Sequence, residues 1–246
     1  MSADRFQLIV GASGSIGSAV ARQLASPGAH LGLHYRANLA RAAALKSQLE
    51  AAGARCELMQ SSLDSETACG ALVETFVRHY GHIDGLALCA GTINWTNWRE
   101  LSDNDWQRAL FEHCLAPFYV ARHAAAGMDQ SRAGRIVFLS SIAPKYGGSA
   151  ETMHYAAAKA ALEAAMRGLA RQLAHTGIRI NGVRAGFVDT PLHSHGRTPQ
   201  EITERIAKIP VGRAGTAEEV ASAVAYLMSD SAGFINGELL AVAGGD

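Results

Sequence analysis

The chain has 246 residues, of which 48% are hydrophobic and 18% charged. That length lies just under the ~250–300 residues at which single cores stop growing, so one domain over residues 1–246 is expected. Lys+Arg and Asp+Glu stand at 22 each, without the basic excess of a non-specific nucleic-acid binder, and the apolar content excludes intrinsic disorder. No apolar run approaches the ~18 residues of a membrane-spanning helix. The start, to Val10, lacks the basic and apolar regions of a secretory signal, and Cys56, Cys69, Cys89 and Cys114 form no CxxC pair. A cytoplasmic protein without a disulfide framework is the expectation.

Phe6–Val10 reads as a first strand that stops at Gly11. Ser15–Leu24 carries Ile16, Val20 and Leu24 at helical spacing, and Ser26-Pro27-Gly28 ends it. Between them lies Gly11-Ala-Ser-Gly14-Ser-Ile-Gly17. A glycine turn at a strand-to-helix junction lets the backbone approach a pyrophosphate, which then sits on the N–H groups and positive dipole end of the helix. Glycine spacing alone also fits an ordinary tight turn; its place at the first crossover favours the dinucleotide.

His30–Tyr35 reads as the second strand and Leu39–Ala51 as a helix closed by Gly53. The strand runs into Arg36, about 20 residues beyond the glycines, where an NAD site places an acid for the ribose 2′-OH and an NADP site can place an Arg. No acid is present, so Arg36 points to NADP(H); a solvated surface Arg is the plainer alternative.

Strands are then predicted over Cys56–Gln60, Ile83–Leu88, Arg135–Leu139, Ile178–Val183 and Glu238–Val242. Helices are predicted over Thr67–Tyr80, Asp103–Ala126, Met153–Ala174 and Ala217–Met228. Seven strands alternating with long helices imply βαβ crossovers. The fold class expected is α/β, a doubly wound Rossmann domain whose seven-stranded parallel sheet carries helices on both faces. The stretch 190–211, with Pro191, Pro199, Pro210, His193 and His195, is expected to form a loop or lid.

Ser141 follows the fifth strand, and Tyr155 and Lys159 share a helix face at i and i+4. An ammonium beside a phenol favours the phenolate and lowers its pKa toward the range useful for proton transfer. Of the ten histidines, only His79/His82 and His193/His195 are close pairs. Neither has a Cys or carboxylate at ligand spacing, so no metal site is expected. Trp95, Trp98 and Trp106 suit either an outer pocket or packing.

Together these motifs resemble the short-chain dehydrogenase/reductase family over essentially the whole chain. Gly11–Gly17 resembles its TGxxxGxG turn, Cys89-Ala90-Gly91 the end of its NNAG element, and Ser141, Tyr155 and Lys159 its catalytic Ser and YxxxK. Asn181 to Gly186, followed by Thr190-Pro191, resembles the segment over the nicotinamide, and Gly212-Arg213 through Gly245 looks like the 3-oxoacyl-[acyl-carrier-protein] reductase branch. The resemblance implies catalysis by Ser141, Tyr155 and Lys159. It implies cofactor contacts from Gly11, Ser13, Ser15, Ile16, Gly17, Arg36, Ser62, Leu63, Cys89, Ala90, Gly91, Tyr155, Lys159, Gly186, Val188 and Thr190. The implied reaction is NADPH-dependent reduction of a ketone, a 3-oxoacyl thioester of acyl carrier protein or coenzyme A first. Another small carbonyl or alcohol, or a non-catalytic cofactor-binding subunit, are the alternatives.

The departures carry information. Val10 and Ser15 replace a Thr and a Gly of the turn, Ser62 stands where many members have an Asp, Leu88-Cys89 replaces an Asn pair, and Ala185 replaces a Pro. His113 stands where the family has the Asn that holds a water linked to the Lys. As a fourth catalytic residue, a neutral His113 can hold the same water, with a pKa below ~6.5 beside Lys159, and activity is then expected to fall on the acid side; the alternatives are that it disables the relay or merely packs in its helix. At the family's two carrier-docking positions, Arg132 supports an acyl-carrier-protein partner and Thr176 weakens it. A symmetric oligomer, a homotetramer, is expected, and the resemblance implies pairing through predicted helices 4 and 5, with their Ala-rich faces (Ala156–Ala158, Ala160, Ala161, Ala164, Ala165).

Overall fold

The computed structural model describes residues 4–128, 133–194 and 198–246. Seven strands, β1 (Arg5–Val10), β2 (Ala29–Tyr35), β3 (Arg55–Gln60), β4 (Gly85–Leu88), β5 (Arg135–Ser141), β6 (Arg179–Ala185) and β7 (Leu239–Val242), form one sheet. Its order is β3-β2-β1-β4-β5-β6-β7, every neighbouring pair parallel. The order reverses between β1 and β4, the crevice where doubly wound sheets bind ligands.

Strand alternation sorts the core into two layers. On one face Leu8, Val10, Ile136 and Phe138 pack with residues of α3 (Glu66–Tyr80), α5 (Ala116–Gly127) and α7 (Met153–Leu173). On the other, Ile9, Leu31, Leu33, Val137 and Val183 pack with α1 (Ser15–Leu24), α2 (Leu39–Ala51) and α10 (Ala217–Leu227). Burial from both sides explains why β2, wholly buried, is apolar apart from His30 and His34.

Three elements depart from the sequence expectation. The helix expected over 103–126 is divided into α4 (Asp103–Leu110), a π-turn over Phe111–Leu115, and α5. Such a turn adds one residue to the helix and often marks a functional site. Here it carries His113 inward, to 3% exposure. The expected loop at 190–211 contains α8 (Pro191–Ser194) and α9 (Pro199–Ala207), while His195 lies outside the described residues. Thr198 and Glu201 form a reciprocal capping box around Pro199, enough to start a helix in a proline-rich stretch. A short α6 (Ala143–Tyr146) follows β5. In addition, Ala156 and Ala158 of α7 are buried against their own sheet, leaving Ala157, Ala160, Ala161 and Ala164 exposed. Among the described residues no helix is long and apolar enough to cross a membrane.

Candidate active site

The carboxyl ends of the strands open into a cavity of about 960 Å³, near the top of the ~300–1,000 Å³ range of ligand pockets. Its first wall is the glycine turn. Gly11 has φ +84°, and a Cβ there would lie 2.7 Å from the Ala90 backbone; a Cβ on Gly17 would lie 2.2 Å from the Gly11 carbonyl oxygen. Only glycine fits either place. Gly14 caps α1 with no side-chain hydrogen bond, leaving the first-turn N–H groups without a side-chain acceptor, and Gly14, Ser15 and Ile16 line the cavity. This backbone cradle suits a pyrophosphate.

His34 holds the cradle, a role not evident in the sequence. Its Nδ1 accepts the Gly11 N–H at 3.0 Å, and its Nε2 donates to the Ser61 carbonyl at 3.1 Å. Only the neutral ring can do both. Burial lowers its pKa to about 4 against the opposing pull of Ser61.

Among the predicted cofactor contacts, Ser15, Ile16, Cys89, Ala90, Gly91, Tyr155, Lys159, Gly186, Val188 and Thr190 line the cavity. Gly11, Ser13 and Gly17 belong to the turn behind that lining. Arg36 is exposed just after β2, whereas Arg41, in the first turn of α2, lines the cavity and was not anticipated. Ser62 donates to Asp64 at 2.6 Å, and Leu63 has a left-handed φ of +53°. These two shape the loop after β3 rather than the cavity lining. Loss of hydration raises the Cys89 thiol to about 12, so it stays neutral.

The chemistry-bearing groups meet at the centre. Ser141 ends β5, and its Oγ accepts the Ala143 N–H at 3.1 Å. Loss of hydration raises the Tyr155 phenol to about 12, opposed by a hydrogen bond with Ser141. The expectation that Lys159 lowers the phenol pKa is corrected here, because burial outweighs it. The Lys159 Nζ is turned to the Leu139 carbonyl at 2.8 Å and lies 5.9 Å from the Tyr155 ring centre. Burial lowers the Lys159 pKa to about 8.

The His113 ring meets Tyr155 edge-on, with centroids 4.9 Å apart, and its buried Nδ1 has no hydrogen-bond partner among the described residues. Burial, reinforced by the charges of Lys159 and His154, lowers its pKa to about 3. The direction is the one expected, but the depth is greater. His113 stays neutral through the mildly acidic range, so the expected acid limb does not come from it.

The outer wall holds Trp95, Tyr146, Arg205, Lys208 and Asp246. Asp246 pairs with Arg205 of α9 and accepts from the Tyr146 hydroxyl at 3.2 Å. Trp98 is exposed beneath Arg99, and Trp106 packs edge-on against His154. His79 packs against Tyr80, and His82 pairs with Asp84.

A sequence model of the enoyl-(acyl carrier protein) reductase family matches residues 11–246. The 3-oxoacyl-[acyl-carrier-protein] reductase of Escherichia coli (strain K12) is 31% identical over 98% of this chain and 96% of its own. The chain belongs to the short-chain dehydrogenase/reductase family. An uncharacterized oxidoreductase of Bacillus subtilis (strain 168) is 35% identical over 97% of both chains. A short-chain dehydrogenase from Burkholderia cenocepacia J2315, solved in complex with NADP, superposes with a TM-score of 0.92 at 29% identity, covering 99% of this chain and 98% of that one. This short-chain dehydrogenase/reductase is an oxidoreductase with the Rossmann fold.

Proposed function

We propose that the chain reduces a ketone to a secondary alcohol with NADPH, and that a 3-oxoacyl thioester of acyl carrier protein or coenzyme A is its preferred substrate. The observation that carries this reading is the convergence of Ser141, Tyr155 and Lys159 on the wall of a cavity that begins at a glycine cradle. Those residues fit a dinucleotide, with Gly14, Ser15 and Ile16 at its phosphates and Lys159, Gly186 and Thr190 toward its other end. When bound there, the dinucleotide would supply the hydride for the carbonyl carbon. Ser141 donates a hydrogen bond to the carbonyl oxygen, and Tyr155 gives that oxygen its proton. A phenol near 12 is fully protonated at neutral pH, which suits the reductive direction. Lys159 holds positive charge behind the phenol.

Spectrophotometry of NADPH oxidation over a panel of 3-oxoacyl thioesters, simple ketones and an enoyl thioester tests this. The 3-oxoacyl thioesters are expected to turn over fastest. Faster turnover of a free ketone would replace the substrate, and no oxidation with any carbonyl would favour the non-catalytic subunit. Thr176 is engaged with the Leu173 carbonyl at 2.7 Å and offers no charge to a carrier; Arg132 lies outside the described residues.

NADP(H) preference rests on Arg36 and Arg41. Charge-assisted contacts to a phosphate contribute about 1.5–3 kcal/mol each. Arg36→Ala and Arg41→Ala are each expected to raise the NADPH KM at least tenfold and leave the NADH KM nearly unchanged. Equal use of both cofactors by the parent would refute the assignment.

We further propose a homotetramer, paired in part through the exposed Ala157, Ala160, Ala161 and Ala164 stripe of α7 beside Leu110 and Leu115. Light scattering at micromolar concentration should give four times the chain mass, and a monomer mass would contradict it.

A further inference from the structure

Behind the reacting groups lies a carboxylate that the mechanism above does not use. Glu163 stands one turn beyond Lys159, so Tyr155, Lys159 and Glu163 fall at i, i+4 and i+8 on one face of α7. Glu163 is 4% exposed. Its Oε1 accepts from the Ser140 hydroxyl at 2.8 Å and from Arg184 Nε at 2.8 Å, and its Oε2 accepts from the second arm of Arg184 at 2.5 Å. One buried group thereby joins α7 to β5 and β6.

Three consecutive residues of β5 engage three successive residues of that face. The Leu139 carbonyl accepts from Lys159, the Ser140 hydroxyl donates to Glu163, and Ser141 shares the cavity wall with Tyr155. The Glu163 contact thus ties α7 to β5 at the residue between Leu139 and Ser141.

The charges around Lys159 point the same way. Cys89 faces it from the end of β4, His113 and Cys114 from the π-turn, and Tyr155 and Glu163 from its own helix; Arg184, on β6, is engaged by Glu163. Burial keeps both thiols protonated and His113 and Tyr155 uncharged at neutral pH. Burial lowers the Lys159 pKa, and Cys89, Glu163 and Cys114 in that order oppose it; with both thiols protonated, Glu163 is the anion that remains.

We propose that Glu163 is a positioning residue for the reaction at Tyr155: it ties β5 to α7 and supplies the negative charge that keeps Lys159 protonated. The proposal rests on the reading of Tyr155 and Lys159 as the reacting pair. Glu163→Gln is expected to lower kcat at neutral pH about tenfold, leave the NADPH KM within twofold, and move the alkaline limb of kcat down by about one pH unit. A merely structural carboxylate would not move that limb.

Because a lone Arg184 could unfold the chain, Glu163→Leu/Arg184→Met is the second variant. Replacing a buried pair by apolar groups of similar volume often leaves stability unchanged. It is expected to keep the parent's thermal midpoint and still lose turnover. A readout free of activity is the titration of Lys159 by NMR of 13C-lysine-labelled protein. With lysines at 46, 145, 159 and 208, the Lys159→Arg spectrum assigns the resonance. In Glu163→Gln, Lys159 should titrate about one pH unit below its parent value. An unchanged Lys159 titration, or a double variant with parental kcat, would overturn the inference. If the parent oxidises no NADPH on any carbonyl, the proposed reaction fails and the Lys159 titration still decides the role of Glu163.

Discussion

Tyr155→Phe is expected to lower kcat by about 10³-fold, inside the ~10²–10⁴ range that a positioned general acid contributes, while the NADPH KM stays within about twofold. The substitution removes one oxygen and keeps the ring. The edge-on contact with His113 and the packing of the first turn of α7 are therefore retained. What is lost is the phenol hydroxyl that carries the transferable proton on the wall it shares with Ser141. Ser141 can still donate to the carbonyl oxygen, so binding of the ketone should weaken little and the loss should fall on kcat. Stopped-flow single turnovers separate the two: a slowed hydride step with unchanged cofactor binding supports the assignment. A variant retaining more than about a tenth of parental kcat would show that another group or a water delivers the proton.

The parallel sheet was legible because burial from both sides forces strands such as β2 to be nearly continuous apolar runs, while the helices between them keep an apolar stripe. The glycine turn was legible for a related reason, since Gly11 and Gly17 occupy places where a Cβ collides with backbone. Other features depend on the assembled sheet. His34 reaches Gly11 because β1 and β2 are parallel with Ile9 opposite Leu33, and it reaches Ser61 because β3 lies on its other side. No local pattern announces those partners. The π-turn is similarly silent: Phe-Glu-His-Cys-Leu contains neither Gly nor Pro, and the extra residue is accommodated by packing against α7. The Thr198–Glu201 capping box, by contrast, was present in the sequence and was obscured by three prolines nearby. The phenol's state was not readable at all, because proximity in sequence to Lys159 says nothing of hydration, and hydration decides it.

Stability is expected to fall by about 4 kcal/mol between pH 7.5 and pH 5, a large part of the ~5–15 kcal/mol of a typical domain. The cause is the pair of buried histidines, His34 with a pKa of about 4 and His113 with a pKa of about 3. In the unfolded chain each takes a proton near ~6.5. Between those values the unfolded state binds more protons than the folded one, so every fall in pH favours unfolding. The contribution of each is fully present above ~6.5 and is lost progressively as pH drops toward its folded pKa, at up to ~1.4 kcal/mol per pH unit. Charging His34 also removes the acceptor for the Gly11 N–H, and charging His113 places a cation beside Lys159. Urea midpoints followed by circular dichroism at pH 7.5, 6 and 5 measure the effect. His113→Asn should remove about half of the slope, because an amide does not titrate. It should leave the pH profile of kcat unchanged above pH 5, because the parent His113 is already neutral there. A flat stability between pH 7.5 and 5 would refute the assignment of both rings as neutral, and a parental slope in His113→Asn would refute it for His113 alone.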